Sequence, residues 1–145
     1  TRWIDQGAVQ ALPVLKVGTR RMSGLLEALF RSTVKDRTNW RAMLKGQVEP
    51  VDMLAARDRL FSRLDPQIVD ISQMENDACE KVTDTTVVEI VYPVAEYPDK
   101  ITSLNPEKEA VISGQLLGVK GQYLILDTGC INIRKYTSYN ATLTV

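Results

Sequence analysis

The sequence predicts an α+β protein, with a helical region first and a small β unit after it. Three observations lead to this prediction. Apolar residues recur at helical spacing up to about residue 82, they alternate with polar residues from about residue 85, and glycines interrupt the alternating region at short intervals. Because 145 residues suffice for two small domains, we expect domains at 1–84 and 85–145. The second is expected to be a small all-β, barrel-like unit, with a strongly coiled sheet as the alternative.

The N-terminal end of the chain is expected to contain a short helix and a strand. The run TRWIDQG, residues 1–7, is typical of a helical piece capped by Thr1 and ended by Gly7 in the left-handed conformation. The apolar residues within 9–17 indicate a strand. Pro13 inside this strand favours an edge position or a bulge, since proline cannot donate a hydrogen bond to a sheet.

The stretch from Gly18 to Trp40 is expected to hold a central helix with Thr19 as its N-cap. Asp36 to Asn39 are expected to break that helix, and Asn39-Trp40-Arg41 to begin another short helical piece. Glu27 lies on the face opposite the apolar stripe, with Gly24 one turn before it and Arg31 one turn after it. A glycine in an exposed helix costs about 1 kcal/mol relative to alanine. The presence of Gly24 is easier to explain if a ligand approaches the backbone beside Glu27. The alternative is an ordinary i,i+4 ion pair between Glu27 and Arg31, worth about 0.2–0.5 kcal/mol.

The remaining elements follow from the same patterns. A helix is expected over 49–66, and residues 68–82 fit either a helix or an exposed linker. The second half is expected to contain a loop over 93–108 and a turn at 127–129. Its expected strands are residues 88–92, 112–119, 123–126, 131–134 and 139–145, with bends at Gly114 and Gly118.

Charge is balanced over the whole chain but unevenly distributed. Residues 1–64 contain 12 Lys+Arg and 6 Asp+Glu, whereas residues 65–84 contain 1 and 6, and residues 85–145 contain 5 and 6. A basic N-terminal half is compatible with a phosphate ligand or a nucleic acid. The alternative is that the acidic stretch packs near the basic region and neutralises it.

Composition excludes several functional classes. The chain has no histidine, which excludes catalysis by His–Ser or His–Cys pairs and every zinc site that needs a histidine. Cys79 and Cys130 are far apart and form no CxxC pair, so we expect two reduced thiols without metal in a cytoplasmic protein. No apolar run approaches the roughly 18 residues of a membrane span, and no membrane partner is expected. The chain begins with Thr1 rather than Met, so we expect that upstream residues are missing.

Three phrases of the sequence resemble a known family. RWIDQGA at residues 2–8, DRTNW at residues 36–40 and KGQYLI at residues 120–125 are similar to a family of uncharacterised bacterial proteins filed as a domain of unknown function. The resemblance covers nearly the whole chain. It implies a cysteine-rich, zinc-site-like segment upstream in intact members, so this chain resembles a C-terminal fragment.

Within the first half, the order of elements also resembles the GIY-YIG nuclease superfamily. That resemblance places Arg2 on the phosphate-contacting arginine, Glu27 on the metal-binding glutamate and Asn39 on a late asparagine. It implies phosphodiester cleavage with one divalent metal, such as Mg²⁺ at Glu27, and it implies that Arg2 and Glu27 converge on one concave surface. The chain departs from the pattern, because the tyrosine-bearing hairpin would lie upstream, Gln6 stands where many members have histidine, and the Arg2-to-Glu27 spacing is short. We therefore expect residues 1–84 to be a GIY-YIG-like α/β remnant with added helices, without an intact nuclease site.

A rival interpretation is a non-catalytic module that binds DNA or RNA. One expected phosphate-tracking surface comprises Arg20, Arg21, Arg31, Lys35, Arg37 and Arg41. A second expected surface puts cations beside aromatic rings and comprises Lys120, Arg134, Lys135, Tyr136 and Tyr139. The alternative for these tyrosines is strand or core packing. A third interpretation is a scaffold that holds the upstream segment, and the oligomeric state stays open.

Overall fold

A computed structural model describes residues 2–35 and 37–144, so the cap expected at Thr1 lies outside the described residues. The predicted α+β class is confirmed, since helices are mixed with small antiparallel sheets. No helix of the described chain is long and apolar enough to cross a membrane. The elements are α1 (Arg2–Asp5), β1 (Gln10–Ala11), β2 (Leu15–Val17), α2 (Arg20–Phe30), α3 (Trp40–Leu44), α4 (Met53–Glu75), β3 (Cys79–Lys81), β4 (Val88–Glu89), β5 (Leu116–Lys120), β6 (Tyr123–Leu126), β7 (Gly129–Asn132) and a 3₁₀ helix (Ile133–Tyr136).

The chain divides into two compact units, each built from separated segments. Unit 1 comprises residues 1–9, 38–48 and 90–145, and unit 2 comprises residues 10–37 and 49–89. This division differs from the expected domains 1–84 and 85–145. The physical reason is strand pairing, because β3 pairs with β2 and β4 pairs with β1 in antiparallel register. Independent folding of the two continuous halves stays a prediction.

Unit 2 is held together by α2 and α4 and by the β2–β3 pair. Its buried core consists of Met22, Leu26, Leu60, Leu64 and Ile68. These residues lie on the facing sides of the two helices, at the i, i+4 spacing that places side chains on one face. The strand predicted over 9–17 is interrupted at Pro13, which leaves the short β1 and β2, each with one partner strand.

The central helix ends earlier than predicted, and the short helix predicted after it is confirmed. Thr19 caps α2, as predicted, but α2 ends at Phe30. Ser32 then donates its hydroxyl proton to a carbonyl three residues earlier, a local bond that competes with helix continuation. Asn39 caps a separate helix, α3. The helix was expected to break at Asp36 to Asn39 and instead ends at Phe30, because such side-chain bonds are not visible in the apolar periodicity.

The helix expected to stop at Asp65-Pro66 continues to Glu75 as α4, with Pro66 in its interior. A proline inside a helix costs about 3 kcal/mol or more. Leu60, Leu64 and Ile68 lie on both sides of it and are at most 6% exposed. Burying each such side chain stabilises by about 1.5–3 kcal/mol, so the apolar stripe offsets the cost of the proline.

Unit 1 contains an antiparallel sheet in the order β5-β6-β7. Its buried core is formed by Met43, Leu44, Ile125 and Cys130. The strand predicted over 123–126 and the turn that follows it are confirmed. The irregularity expected at Gly118 is present as a register shift between residues 116 and 118.

The expectation of a barrel-like unit is wrong, since the described strands of unit 1 form an open sheet. Single bridges flank it, from Val94 to Gly118 and from Ser103 to Cys130. The strand expected at 131–134 ends at Asn132, whose side chain accepts the N–H two residues later and starts the 3₁₀ helix. Residues 139–144 form no strand, and β4 and β5 are shorter than predicted.

Candidate nucleic-acid interface

The first and last of the three sequence phrases meet within unit 1. The phrase KGQYLI forms the β5–β6 hairpin, in which Gly121 has a φ of 57°. A side chain at Gly121 would overlap the carbonyl oxygen of Asp5 in α1, and the N–H of Gln122 donates to the same oxygen at 2.9 Å. Gly7, left-handed as predicted with a φ of 81°, lies against Met43 of α3. The hairpin and α3 therefore both contact the N-terminal phrase.

Trp40 and Tyr123 form a parallel aromatic pair with an arginine beside it. The ring centroids are 6.1 Å apart and the interplanar angle is 3°. The guanidinium carbon of Arg41 lies 4.3 Å from the centroid of a Trp40 ring, within the range of a cation–π interaction. Both rings are half-buried, whereas Arg41 is exposed and its N–H groups have no acceptor within the described chain. These three residues are hereafter the Trp40 stack.

Lys120 lies buried among tyrosines. It is 1% exposed, and its Nζ donates to the Tyr97 hydroxyl at 3.2 Å. The same Nζ lies 4.7 Å from the centroid of the Tyr97 ring and 5.8 Å from that of Tyr92. Lys120 was expected on an exposed surface and is instead buried. The alternation of side chains along β5 puts it on the same inner face as the buried Gly118.

The Tyr92 hydroxyl is used in hydrogen bonds that hold the fold together. Its hydroxyl lies 2.9 Å from the carbonyl oxygen of Ile4 and 2.8 Å from that of Ala8. Burial, followed by the charge of Asp5 and the neighbouring Tyr97, raises the pKa of Tyr92. Tyr92 therefore remains a neutral donor that ties the loop before β5 to the end of α1.

Tyr136 and Tyr139 form a second aromatic pair, T-shaped with centroids 5.4 Å apart. The Tyr136 hydroxyl donates to Asn105 at 3.0 Å, and that of Tyr139 donates to the Glu107 carboxylate at 2.5 Å. This bond to Glu107 raises the pKa of Tyr139. Tyr139 is 53% exposed, but the adjacent carboxylate repels phosphate. The pair is therefore a weaker candidate for base stacking than the Trp40 stack.

The two cations expected beside these tyrosines differ in their surroundings. Arg134 forms an ion pair with Asp5 at 3.0 Å. Lys135 is exposed and has no partner in the part of the chain that the structure describes. Lys135 is thus free to contact a phosphate, whereas Arg134 would first have to leave its carboxylate.

The basic residues of unit 2 are largely matched by acidic ones. Arg21 pairs with Glu75 at 2.6 Å, and Lys16 lies 3.9 Å from Glu80. The hydrogen bond and charge of Glu75 raise the pKa of Arg21, and that hydrogen bond lowers the pKa of Glu75. Unit 2 contains 10 Lys+Arg and 12 Asp+Glu, a net charge of −2. The acidic stretch therefore packs with the basic one, which was the alternative to a nucleic-acid surface there.

Three of the expected phosphate contacts in unit 2 are nevertheless exposed and without a partner in residues 2–35 and 37–144, namely Arg20, Lys35 and Arg37.

The residues expected to be catalytic lie in different units. Arg2 is exposed in α1 of unit 1, and Glu27 belongs to α2 of unit 2. Glu27 pairs with Arg31 at 3.1 Å, with their side chains 67% and 52% exposed. Asn39 accepts the N–H of Ala42 as the cap of α3. The described residues contain no group of three Cys, Asp or Glu side chains that could hold a metal ion. The convergence of Arg2 and Glu27 on one surface stays a prediction.

Two features of the site were not visible in the sequence. The contact between Trp40 and Tyr123 joins residues 83 positions apart, and the contact between Lys120 and Tyr97 joins a strand end to a loop. Neither contact could be predicted from the spacing of its residues in the sequence. The only available hint was that cations and aromatic residues are neighbours in the phrases NWR and KGQY.

Both cysteines are free thiols, Cys79 half-buried in β3 and Cys130 buried in β7. Burial raises the pKa of both thiols, and the charge of Asp77 adds to the shift at Cys79. Raised pKa values keep the thiols protonated, so neither resembles an activated nucleophile.

Comparisons with known proteins identify a family but no characterised relative. No curated protein and no solved structure matches the chain. A family model matches residues 1–141. The chain therefore belongs to the family described as "Protein of unknown function (DUF2797)".

Proposed function

We propose that this protein binds a single strand of nucleic acid without cleaving it, and that the Trp40 stack is the contact. The observation that carries the proposal is the exposed Arg41 guanidinium lying on the Trp40 ring, which is parallel to Tyr123. Aromatic faces stack bases for about 1–3 kcal/mol per base. A guanidinium held against an aromatic ring keeps its N–H donors available for phosphate oxygens.

Charge supports placing the contact in unit 1. Unit 1 contains 8 Lys+Arg and 6 Asp+Glu, a net charge of +2, against −2 for unit 2. Lys45 and Lys135 of unit 1 also have no partner among the residues that the structure describes. Unpaired cations in the same unit as an aromatic platform favour a strand whose bases are unstacked, because only such bases can reach a ring face.

The experiment is a fluorescence-anisotropy titration of single- and double-stranded oligonucleotides at low and high salt. Arg41→Ala is expected to weaken single-strand binding at least fivefold and to reduce the salt slope by about 0.7, the value for one lost phosphate contact. Arg59→Ala is the matched control, since it removes another exposed arginine, from α4 of unit 2. Equal effects of the two variants, or no binding by the unaltered protein, would refute the proposal.

The alternative proposal is phosphodiester cleavage of the GIY-YIG type by the intact protein, with Mg²⁺ held at Glu27 and phosphate at Arg2. What supports it is the open space beside Gly24, where an added Cβ would meet nothing within 4 Å, and the exposure of Glu27 on the same helix. A single carboxylate can hold a Mg²⁺ that keeps most of its waters. Metal-dependent nicking by the full-length protein that is lost in Glu27→Gln would favour this alternative.

We also propose a cytoplasmic location. The two free thiols support it, because reduced cysteines are usual in that compartment.

A further inference from the structure

We propose that Tyr97 and Lys120 form a binding site for a phosphate-type oxyanion, with the Tyr97 hydroxyl as the group that contacts it. The inference rests on the proposed function in one respect, since the phosphates of a bound strand are one source of the anion. Free inorganic phosphate is the other source, and the two are separated by experiment below.

The first step is the uncompensated charge of Lys120. Its side chain is 1% exposed, and no carboxylate within residues 2–35 and 37–144 forms an ion pair with it. Buried charges in proteins are normally paired, because removing an ammonium from water is costly. The rings of Tyr97 and Tyr92, 4.7 and 5.8 Å away, supply part of the compensation. A full negative counter-charge is missing.

The second step is the unusual hydrogen bonding of Tyr97. Tyr92, Tyr136 and Tyr139 each donate their hydroxyl proton to an oxygen of unit 1. The Tyr97 hydroxyl instead accepts a hydrogen bond from Lys120, and no described residue accepts its own proton. Accepting from an ammonium polarises the O–H bond and makes it a stronger donor to a third group. An anion is the group that gains most from such a donor.

The third step is that Tyr97 connects the buried charge to the surface. Tyr97 is 39% exposed, in contrast to Lys120. Its ring is held against Gly46, where φ is 68° and a Cβ would lie 2.9 Å from a ring atom. Only glycine permits both that backbone conformation and that contact. Lys45, one residue before this contact, has no partner in the described chain and adds a second positive charge nearby.

These features select phosphate over neutral ligands. The hydroxyl supplies a direct donor, the ammonium behind it supplies the charge, and the tyrosine rings keep water away from that charge. Charge-assisted hydrogen bonds of this kind are about twice as strong as neutral ones. In the proposed complex, a phosphate of the strand occupies this site while bases contact the Trp40 stack.

The test follows the backbone amide of Gly46 by NMR while inorganic phosphate is added to the full chain. Saturable binding is expected in the unaltered protein. Tyr97→Phe, which removes only the hydroxyl, is expected to weaken it at least fivefold. Thr128→Val is the matched control, because it deletes a hydroxyl of unit 1 that donates to the carbonyl of Ser113 and is expected to change the affinity less than twofold. Lys120→Met provides a second variant that removes the buried charge and retains an apolar side chain.

The outcomes are separable from those of the proposed function. Phosphate binding that is weakened by Tyr97→Phe and by Lys120→Met supports the site, even if no oligonucleotide binds, and free phosphate would then be the source. An oligonucleotide that displaces the phosphate identifies the strand as the source. Phosphate that does not bind, or binds equally well to Tyr97→Phe, overturns the site, whether or not an oligonucleotide binds through the Trp40 stack.

Discussion

Replacing Gly121 with alanine is expected to destabilise the protein by about 2–3 kcal/mol. Gly121 has a φ of 57°, where an L side chain costs about 1–2 kcal/mol. The new Cβ would overlap the Asp5 carbonyl oxygen, so the hairpin must move away from α1. That movement weakens the Gln122 hydrogen bond to the same carbonyl, whose net worth is about 0.5–1.5 kcal/mol.

Gly24→Ala is the matched control, and its expected effect on stability has the opposite sign. Gly24 lies inside α2, and a Cβ there would meet nothing within 4 Å. Alanine is favoured over glycine in a helix by about 0.5–1 kcal/mol. The same substitution should therefore stabilise at one position and destabilise at the other.

Thermal unfolding followed by circular dichroism measures both effects. For a chain of this length, 1 kcal/mol corresponds to a change in Tm of roughly 2–4 °C. Gly121→Ala should lower Tm by about 4–12 °C, and Gly24→Ala should raise it by about 1–4 °C. A Gly121→Ala variant as stable as the unaltered protein would show that the hairpin does not press against α1.

Three further outcomes are expected. The hydrogen bond from Arg21 lowers the pKa of Glu75, so the pair stabilises the folded protein above the unfolded pKa of about 4.3. This stability is lost as the pH falls through the lower pKa of the folded state. In urea unfolding at a series of pH values, Arg21→Met should reduce the fall in the free energy of unfolding over this range. A thiol reagent should label the half-buried Cys79 before the buried Cys130. After denaturation two free thiols should be counted, and a count below two would contradict the assignment of both cysteines as free. Trypsin should cleave first in the loop over 93–108 rather than within α4, and early fragments cut within α4 would count against its stability.

The local elements could be predicted where one chemical signal dominates. Thr19 as a cap, Gly7 in the left-handed conformation and the strand over 123–126 all follow from residue type and short-range pattern. Pro66 shows the limit, because its helix-breaking preference is overridden by apolar residues that pack against α2. That packing joins residues about 40 positions apart and leaves no trace in the local sequence.

The pairing of the strands could not be predicted for a related reason. The hydrophobic period was expected to change near residue 85, but β3 and β4 pair with strands at the start of the chain. Periodicity reports which face of a segment is buried and not which segment covers it. The same applies to Lys120, whose exposure was expected from its charge and whose burial depends on Tyr92 and Tyr97.

The most direct test of the proposed function is the fluorescence of Trp40 during binding. The chain has two tryptophans, Trp3 and Trp40, so a Trp3→Phe variant reports on Trp40 alone. Adding a single-stranded oligonucleotide should quench this emission with the same Kd that anisotropy gives, because a base stacked on the Trp40 stack alters the ring's surroundings. Binding detected by anisotropy with unchanged Trp40 emission would contradict the assignment of the interface to these residues.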